Sequence, residues 1–268
     1  MVLKISTWNI NSVRLRMPLV ERFLCLENPD VLCLQEIKCR EAEFPSSAFK
    51  KLGYRHIAVN AQKGYHGVAI VSRLPLDSIQ RQEFCSKGDA RHISAQIDAG
   101  DRGSFIVHNL YVPAGGDIAD PGLNEKFLHK LNFLDELKLL SLSWSSANVP
   151  SIITGDLNVA PSEFDVWNHK SLLKVVSHTP GETRRLNEIM AQGKWLDAMR
   201  AITPEPEKLY TWWSYRSPDW SAANKGRRLD HIWLCPKFAP SISAMRILKD
   251  ARSWEKPSDH VPVTVDLT

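Results

Sequence analysis

Short apolar runs, each joined to a polar cluster at one end, constrain this chain more than any other feature. Val2–Trp8 runs into Asn9-Ile10-Asn11, Val31–Leu34 into Gln35-Glu36, and Ser151–Thr154 into Gly155-Asp156-Leu157-Asn158. Further on the order reverses. Arg228-Leu229-Asp230-His231 opens the run that ends at Cys235, and Ser258-Asp259-His260 opens Val261–Leu267. Short apolar runs bounded by turn-forming residues read as buried strands. In an antiparallel or mixed sheet the start of one strand lies beside the end of its neighbour, so all five clusters can meet on one rim.

Between these runs the pattern alternates helix and strand. Pro18 can open a helix, and Leu19, Val20, Phe23 and Leu24 recur at helical spacing behind it. Ser46 or Ser47 can cap a short helix over Ala48–Leu52. Strands are expected at His56–Val59, Val68–Ser72, His92–Ile97, Phe105–Val112, Tyr210–Tyr215 and Ile242–Ile247. The longest helix is expected over Leu123–Leu142, with Leu131, Leu134 and Leu137 on one face. Glu188–Met190 and Trp195–Met199 read as further helical pieces. The implied fold class is α/β: two packed mixed sheets flanked by helices. No linker, low-complexity tract or repeat divides the 268 residues, so a single domain over residues 1–268 is expected.

Composition narrows the partners. A net charge of +4 favours polyanions without specifying one. No apolar run approaches the roughly 20 residues of a spanning helix, so no membrane role is expected. The five cysteines are odd in number and show no CxxC spacing, which argues against a zinc site and for a reducing cytoplasm. Met1–Ile5 leads straight into a strand pattern rather than a leader.

The clusters offer carboxylates, carboxamides and an imidazole, which suit a hard cation and a phosphate ester. Glu36, just past its strand, is placed for a metal ligand, although for Glu36 alone a solvated strand end is the simpler reading. Asn9 and Asn11 offer neutral oxygens, or an Asx turn. Asp156 and Asn158, two apart in extended chain, project to one side. There the Asp can orient or deprotonate a water and the Asn can donate to a developing phosphorane oxygen; a plain strand-to-loop turn uses the same residues. Asp259 and His260 are adjacent and so face opposite ways. The carboxylate that orients His260 must therefore come from elsewhere, and Asp230 is the candidate. Such a pair raises the imidazole pKa and keeps it cationic against phosphate. The other eight histidines read as surface or packed polar residues. Tyr210–Tyr215 followed by Lys225–Arg228 puts aromatics beside cations, which suits stacking and phosphate pairing, but strand aromatics commonly serve a core. One of Trp212 and Trp213 is expected to be buried, and Trp220 is the candidate for exposure.

The ordered set Trp8-Asn9, Leu34-Gln35-Glu36, Asn109–Pro113, Gly155-Asp156-Leu157-Asn158, Arg228-Leu229-Asp230 and Ser258-Asp259-His260 resembles the exonuclease III family of apurinic/apyrimidinic endonucleases, over Val2 to Leu267. That resemblance implies a DNase I-like four-layered α/β sandwich. It also implies a Mg²⁺-dependent DNA-repair nuclease, with Mn²⁺ a plausible substitute. The expected reaction is hydrolysis of the phosphodiester 5′ to abasic sites in duplex DNA, with 3′→5′ exonuclease and 3′-phosphatase or phosphodiesterase action. By resemblance Glu36, Asn9 and Asp259 serve the metal, with Asp156 and Asn158 at a second position. Tyr111 contacts the scissile phosphate, Asp156 positions or activates water, Asn158 binds phosphate or water, and Asp230 orients His260. Trp212 and Leu229 wall an abasic-sugar pocket. Arg227 stands where some relatives place an aromatic, and Asn11 where some carry an aspartate; both are assigned to the substrate side. The implied partner is duplex DNA with abasic sites or blocked 3′ ends, met by a cytoplasmic monomer acting on nucleoid DNA. A phosphatase for inositol phosphates, lipids or nucleotides is the competing enzyme reading. A non-catalytic damage binder is disfavoured, because every expected catalytic position is filled.

Overall fold

The structure, a computed structural model, describes residues 2–237 and 242–268. Its strands in chain order are β1 (Leu3–Asn9), β2 (Val31–Gln35), β3 (His56–Asn60), β4 (Val68–Ser72), β5 (Leu76–Gln80) and β6 (His92–Asp98). They continue with β7 (Ser104–Tyr111), β8 (Ser151–Asp156), β9 (Leu196–Asp197), β10 (Asp230–Leu234), β11 (Ile242–Ile247) and β12 (Val263–Leu267). The helices are α1 (Met17–Glu27), α2 (Ser46–Lys51), α3 (Glu125–Ser146), α4 (His169–Leu172), α5 (Pro180–Gln192), α6 (Ala198–Ile202) and α7 (Trp220–Ala223).

Two sheets form, in the orders β11-β12-β1-β2-β4-β3 and β5-β6-β7-β8-β10-β9. Each holds one parallel pair at its centre, β1 with β2 and β7 with β8, and antiparallel pairs elsewhere. The parallel pairs need crossovers, and α1 and α3 lie in those connections. Ile5, Cys33 and Ile70 of one sheet meet Ala95, Val107, Ile152 and Ile232 of the other in the central core. Phe23 and Leu24 of α1 cover Trp8, Leu32 and Leu34 on one outer face. Phe133, Leu134 and Leu137 of α3, with Leu186 and Ile189 of α5, cover Leu110, Ile153 and Trp233 on the other. Strands buried on both faces read as unbroken apolar runs, which is why the sequence shows them so plainly.

A buried polar junction sets the sheets against each other beneath the rim. Gln35 Nε2 donates to Asn109 Oδ1 at 2.7 Å and to Thr7 Oγ1 at 2.9 Å. Asn109 Nδ2 donates in turn to the Leu34 and Ala69 carbonyls. Gly155 lets β7 and β8 approach: a Cβ there would lie 2.0 Å from the Leu110 carbonyl oxygen, and its φ is +132°. Arg228, fully buried, fixes the start of β10 by donating to Asp165 and Asp197 at 2.7 Å each.

Four local expectations need correction, and one strand was missed. Tyr210–Tyr215 is not a strand; Trp212 makes only isolated bridges, to Arg227 and to His260. Residues Trp195–Met199 split into the short β9 and the start of α6. Pro45, not a serine, precedes α2, and no side chain caps it. Edge strand β5 carried no apolar signal because its residues are mostly exposed and its pairing is through the backbone. Helix α5 also begins earlier than the pattern suggested, at a capping box of Thr179 and Glu182 with Pro180 in its first turn. Thr179→Ala is expected to lower the unfolding free energy by about 1 kcal/mol. Urea midpoints measure this, and an unchanged midpoint would remove the cap from the list of stabilising features. Among the described residues no helix is long and apolar enough to cross a membrane.

Candidate active site

Strands β1, β2 and β8 end on the rim where β10 begins and where the chain enters β12. Register does the rest: Asp156, last in β8, lies directly opposite Asp230, first in β10. Asn9, last in β1, lies beside Gln35, which precedes Glu36.

Asn9 joins the carboxylates. Its Nδ2 donates to Glu36 Oε1 and to Asp156 Oδ2, both at 2.9 Å, while its Oδ1 accepts from the Asn11 amide at 3.1 Å. In this arrangement Asn9 bridges two acids through its nitrogen. Glu36 sits at φ +49°, a left-handed turn that swings its carboxylate off the line of β2. Tyr111 Oη donates to the same Oε1 at 2.8 Å, and Lys38 Nζ lies 2.7 Å from Oε2. Burial raises the Glu36 pKa, but Lys38 and the hydrogen bonds from Asn9 and Tyr111 outweigh it and hold the carboxyl below its usual range. Burial and the neighbouring carboxylates Glu36 and Asp156 push the Tyr111 hydroxyl well up, so it remains a donor.

Asp156 accepts from the Asn158 amide at 2.9 Å and from Asn158 Nδ2 at 3.1 Å. His260 Nε2 lies 3.6 Å from Asp156 Oδ2, and His260 Nδ1 lies 2.8 Å from Asp230 Oδ2. The imidazole is thus held between two buried carboxylates, and the carboxylate at its Nδ1 is the candidate Asp230. Burial would lower the His260 pKa, yet Asp230 and Asp156 raise it to about 10. Burial pushes Asp156 up to about 7 against the opposing pull of the imidazolium. Ligand atoms of Asp156, Asp230 and His260 lie within 4.8 Å of one another, and among the described residues the buried Asp230 Oδ1 has no hydrogen-bond partner. Glu36 and Asp156 supply carboxylate oxygens on this rim that fit a hard divalent cation, whereas His260, held cationic between its carboxylates, has no lone pair to offer one.

Asp259 lies on the same rim. Its carboxylate accepts from Trp212 Nε1 at 2.9 Å and from Asn11 Nδ2 at 3.3 Å. Asn11 Oδ1 accepts from Lys38 Nζ at 2.6 Å. Lys38 therefore links Glu36 to the Asn11–Asp259 side. Sequence reasoning missed it, although a lysine two residues beyond Glu36 was a visible signal.

A cavity of about 540 Å³ opens at this cluster. Glu36, Tyr111, Asp156, Asn158, Asp259 and His260 line one part, and Trp212, Leu229, Arg227, Val176 and Ser177 another. Trp213 is the buried member of the tryptophan pair, at 2% exposure. Trp220 is only half-exposed, because it packs edge-on against Trp213. The wall at Val176 and Ser177 was missed; nothing in the letters marks a loop that arrives only through folding. Of the remaining histidines, His92, His108, His178 and His231 are buried, with His231 Nε2 hydrogen-bonded to the Val159 carbonyl at 2.9 Å.

Residues 6–260 match the endonuclease/exonuclease/phosphatase family. The chain belongs to this family. Within it, the sequence is 32% identical to exodeoxyribonuclease III of Haemophilus influenzae over 97% of this chain and 98% of that protein. It is 30% identical to the DNA repair nuclease APEX1 of Danio rerio, over 99% of this chain and 82% of the relative. An AP endonuclease from Archaeoglobus fulgidus superposes with a TM-score of 0.87 at 32% identity, covering 98% of each chain. A 3′ phosphatase from Neisseria bound to a product DNA hairpin superposes at 0.89 with 29% identity, covering 99% of each. This family member is thus of the exonuclease III type, and its two helix-flanked mixed sheets are the DNase I-like fold.

Proposed function

We propose that this chain incises duplex DNA on the 5′ side of abasic sites, using Mg²⁺ with Mn²⁺ as a substitute, and trims blocked 3′ ends at the same centre. It is a DNA-repair nuclease, a hydrolase of phosphodiesters. The carrying observation is the position of Asp156: bridged to Glu36 by Asn9, 3.6 Å from His260, and facing a cavity walled by Trp212 and Leu229. Names of similar proteins support the chemistry, since they include an AP endonuclease, a DNA repair nuclease and a 3′ phosphatase. The proposal extends to residues 1–268 acting as one catalytic domain, monomeric and cytoplasmic.

Glu36 and Asp259 would hold the ion, with Asp156 and Asn158 beside it; when bound it supplies charge stabilisation to the phosphate. The chain's own residues do the rest. Asp156 takes a proton from the attacking water, and a raised pKa matches that task near neutrality. Asn158 Nδ2, which donates to the Val112 carbonyl and to Asp156, and the neutral Tyr111 hydroxyl, which donates to Glu36, would turn a hydrogen from these carboxylates to phosphate oxygens when substrate binds. His260, kept cationic and oriented by Asp230, faces the charge that grows there. The water oxygen bonds to phosphorus as the bond to O3′ breaks, and O3′ takes a proton from solvent, leaving a 3′-hydroxyl and a 5′-deoxyribose phosphate.

A substrate panel tests this reading: a duplex with one tetrahydrofuran abasic analogue, an undamaged duplex, a 3′-phosphate end and an inositol phosphate. Site-specific incision of the first is expected. Turnover of the inositol phosphate with no DNA cleavage would give the function to the small-ester reading. Trp212→Ala is expected to lower abasic incision by about tenfold, the scale of a truncated apolar wall, and to affect 3′-phosphate removal less. Equal losses would point to a packing defect instead.

A further inference from the structure

Arg227 is one of three cations lining the cavity, with Arg216 and Lys225, that the mechanism above leaves unused. Its guanidinium lies over the Trp212 ring at 5.2 Å from the centroid. Nη1 donates to the Val176 carbonyl at 3.0 Å and to Ser177 Oγ at 2.7 Å. That wall is itself fixed. The Ser177 amide donates to the Glu182 carboxylate at 2.9 and 3.0 Å, and Glu182 pairs with the fully buried Lys130 at 2.5 Å. Lys130 also donates to the Asn158 carbonyl at 2.7 Å. One buried ion pair therefore holds both the catalytic loop and the wall that carries Arg227, so the two keep a set separation.

The guanidinium has one arm to spare. Nε is buried without a partner, and Nη2 makes no hydrogen bond to another described residue. A phosphate calls for a bidentate edge, and here Nη1 is committed and Nε is sealed. A single donor suits a single oxygen. Position narrows the choice further. Trp212 pairs through its backbone with both His260 and Arg227, and its ring lies beneath the guanidinium, so the cation is stacked on the wall that Trp212 presents to the cavity. The cavity lining it shares includes the apolar Val176 and Leu229 along with Trp212, and also the cations Arg216 and Lys225; the apolar wall suits a sugar, and the other cations are free for phosphates.

We propose that Arg227 donates a hydrogen bond to the C1′ oxygen of the abasic sugar, the hydroxyl of its closed form or the aldehyde of its open form. The proposal rests on the abasic-site reading of this pocket. Arg227 thereby selects a sugar whose base has been lost over one that merely lacks a base, because only the former carries oxygen at C1′.

The test compares kcat/KM for three duplexes: a natural abasic site, a borohydride-reduced site that keeps a C1′ hydroxyl, and a tetrahydrofuran site without C1′ oxygen. For the wild-type protein the natural and reduced sites are expected to exceed tetrahydrofuran by roughly tenfold, the scale of one charge-assisted hydrogen bond. Arg227→Met should bring both ratios close to one. Arg227→Lys, which keeps a donor, should retain part of the preference, and thermal melts of both variants check the wall. An unchanged ratio in Arg227→Met overturns the proposal, as does a larger loss of 3′-phosphate removal, which would make Arg227 a phosphate anchor. Tetrahydrofuran incision tests the underlying reading separately: its presence with a flat ratio sinks only Arg227, while no incision of any abasic duplex sinks both.

Discussion

Replacing Asp156 with Asn is expected to cut the rate of abasic incision by roughly a thousandfold, the scale of a lost general base, with DNA affinity retained. Asp156 accepts from three nitrogens, Asn9 Nδ2, the Asn158 amide and Asn158 Nδ2, and His260 Nε2 stands 3.6 Å away. A carboxylate satisfies all of these. A carboxamide offers one oxygen and must turn an NH₂ toward groups that already donate, so the substitution removes the proton acceptor and also sets donor against donor. Single-turnover incision and a binding titration on the same duplex separate the two effects. Rates near normal would remove Asp156 from the chemistry. A loss of binding equal to the loss of rate would make it a substrate anchor.

His260→Asn is expected to cost about a hundredfold or more, the usual strength of a preorganised electrostatic group. Its second signature is a pH shift. Incision needs Asp156 unprotonated, so activity rises as pH climbs through the Asp156 pKa, which burial raises to about 7 in the metal-free chain. The His260 cation lowers that pKa. Removing the cation leaves the carboxyl easier to protonate, and the acid limb of the pH–rate profile must move to higher pH. A large rate loss with an unmoved limb would make His260 a structural residue. A limb that moved to lower pH would contradict the charge assignment. Asp230 orients His260 at 2.8 Å, but its own charge raises the Asp156 pKa, so Asp230→Asn, which removes both influences at once, should shift the limb less than His260→Asn does.

How much of this was readable depended on whether a residue's role came from strand geometry or from loops. Glu36, Asp156, Asp230 and His260 were legible because they sit at ends of strands buried on both faces, where apolar runs mark the boundaries. Alternation disfavoured Asp259 as the partner of its neighbour His260, but it left Asp230 as a candidate only, and the 2.8 Å contact comes from the fold. Lys130 and the Ser177 wall were not legible, and Lys38, visible as a lysine two residues beyond Glu36, gave no sign of its role. They reach the site through left-handed turns or from another layer, and the chain separation between Lys130 and Glu182 carries no periodic signal. The aromatic run at Tyr210 misled for a related reason. Its residues have strand preferences, but Trp212 follows the rim with only isolated bridges to Arg227 and His260, leaving the indole free to line the cavity. Asn9 was legible in position but not in orientation: its place as an amide bridge between Glu36 and Asp156 depends on two carboxylates from distant strands.

The central claim is that these strand ends form one metal-dependent hydrolytic centre for DNA. The most direct measurement is incision of a labelled duplex bearing one abasic site, with Mg²⁺ and with EDTA, by the wild-type protein and by Asp156→Asn. Cleavage at that site alone, leaving a 3′-hydroxyl, abolished by EDTA and lost in the variant, is the expected result. Undiminished cleavage in EDTA, or by Asp156→Asn, would contradict it.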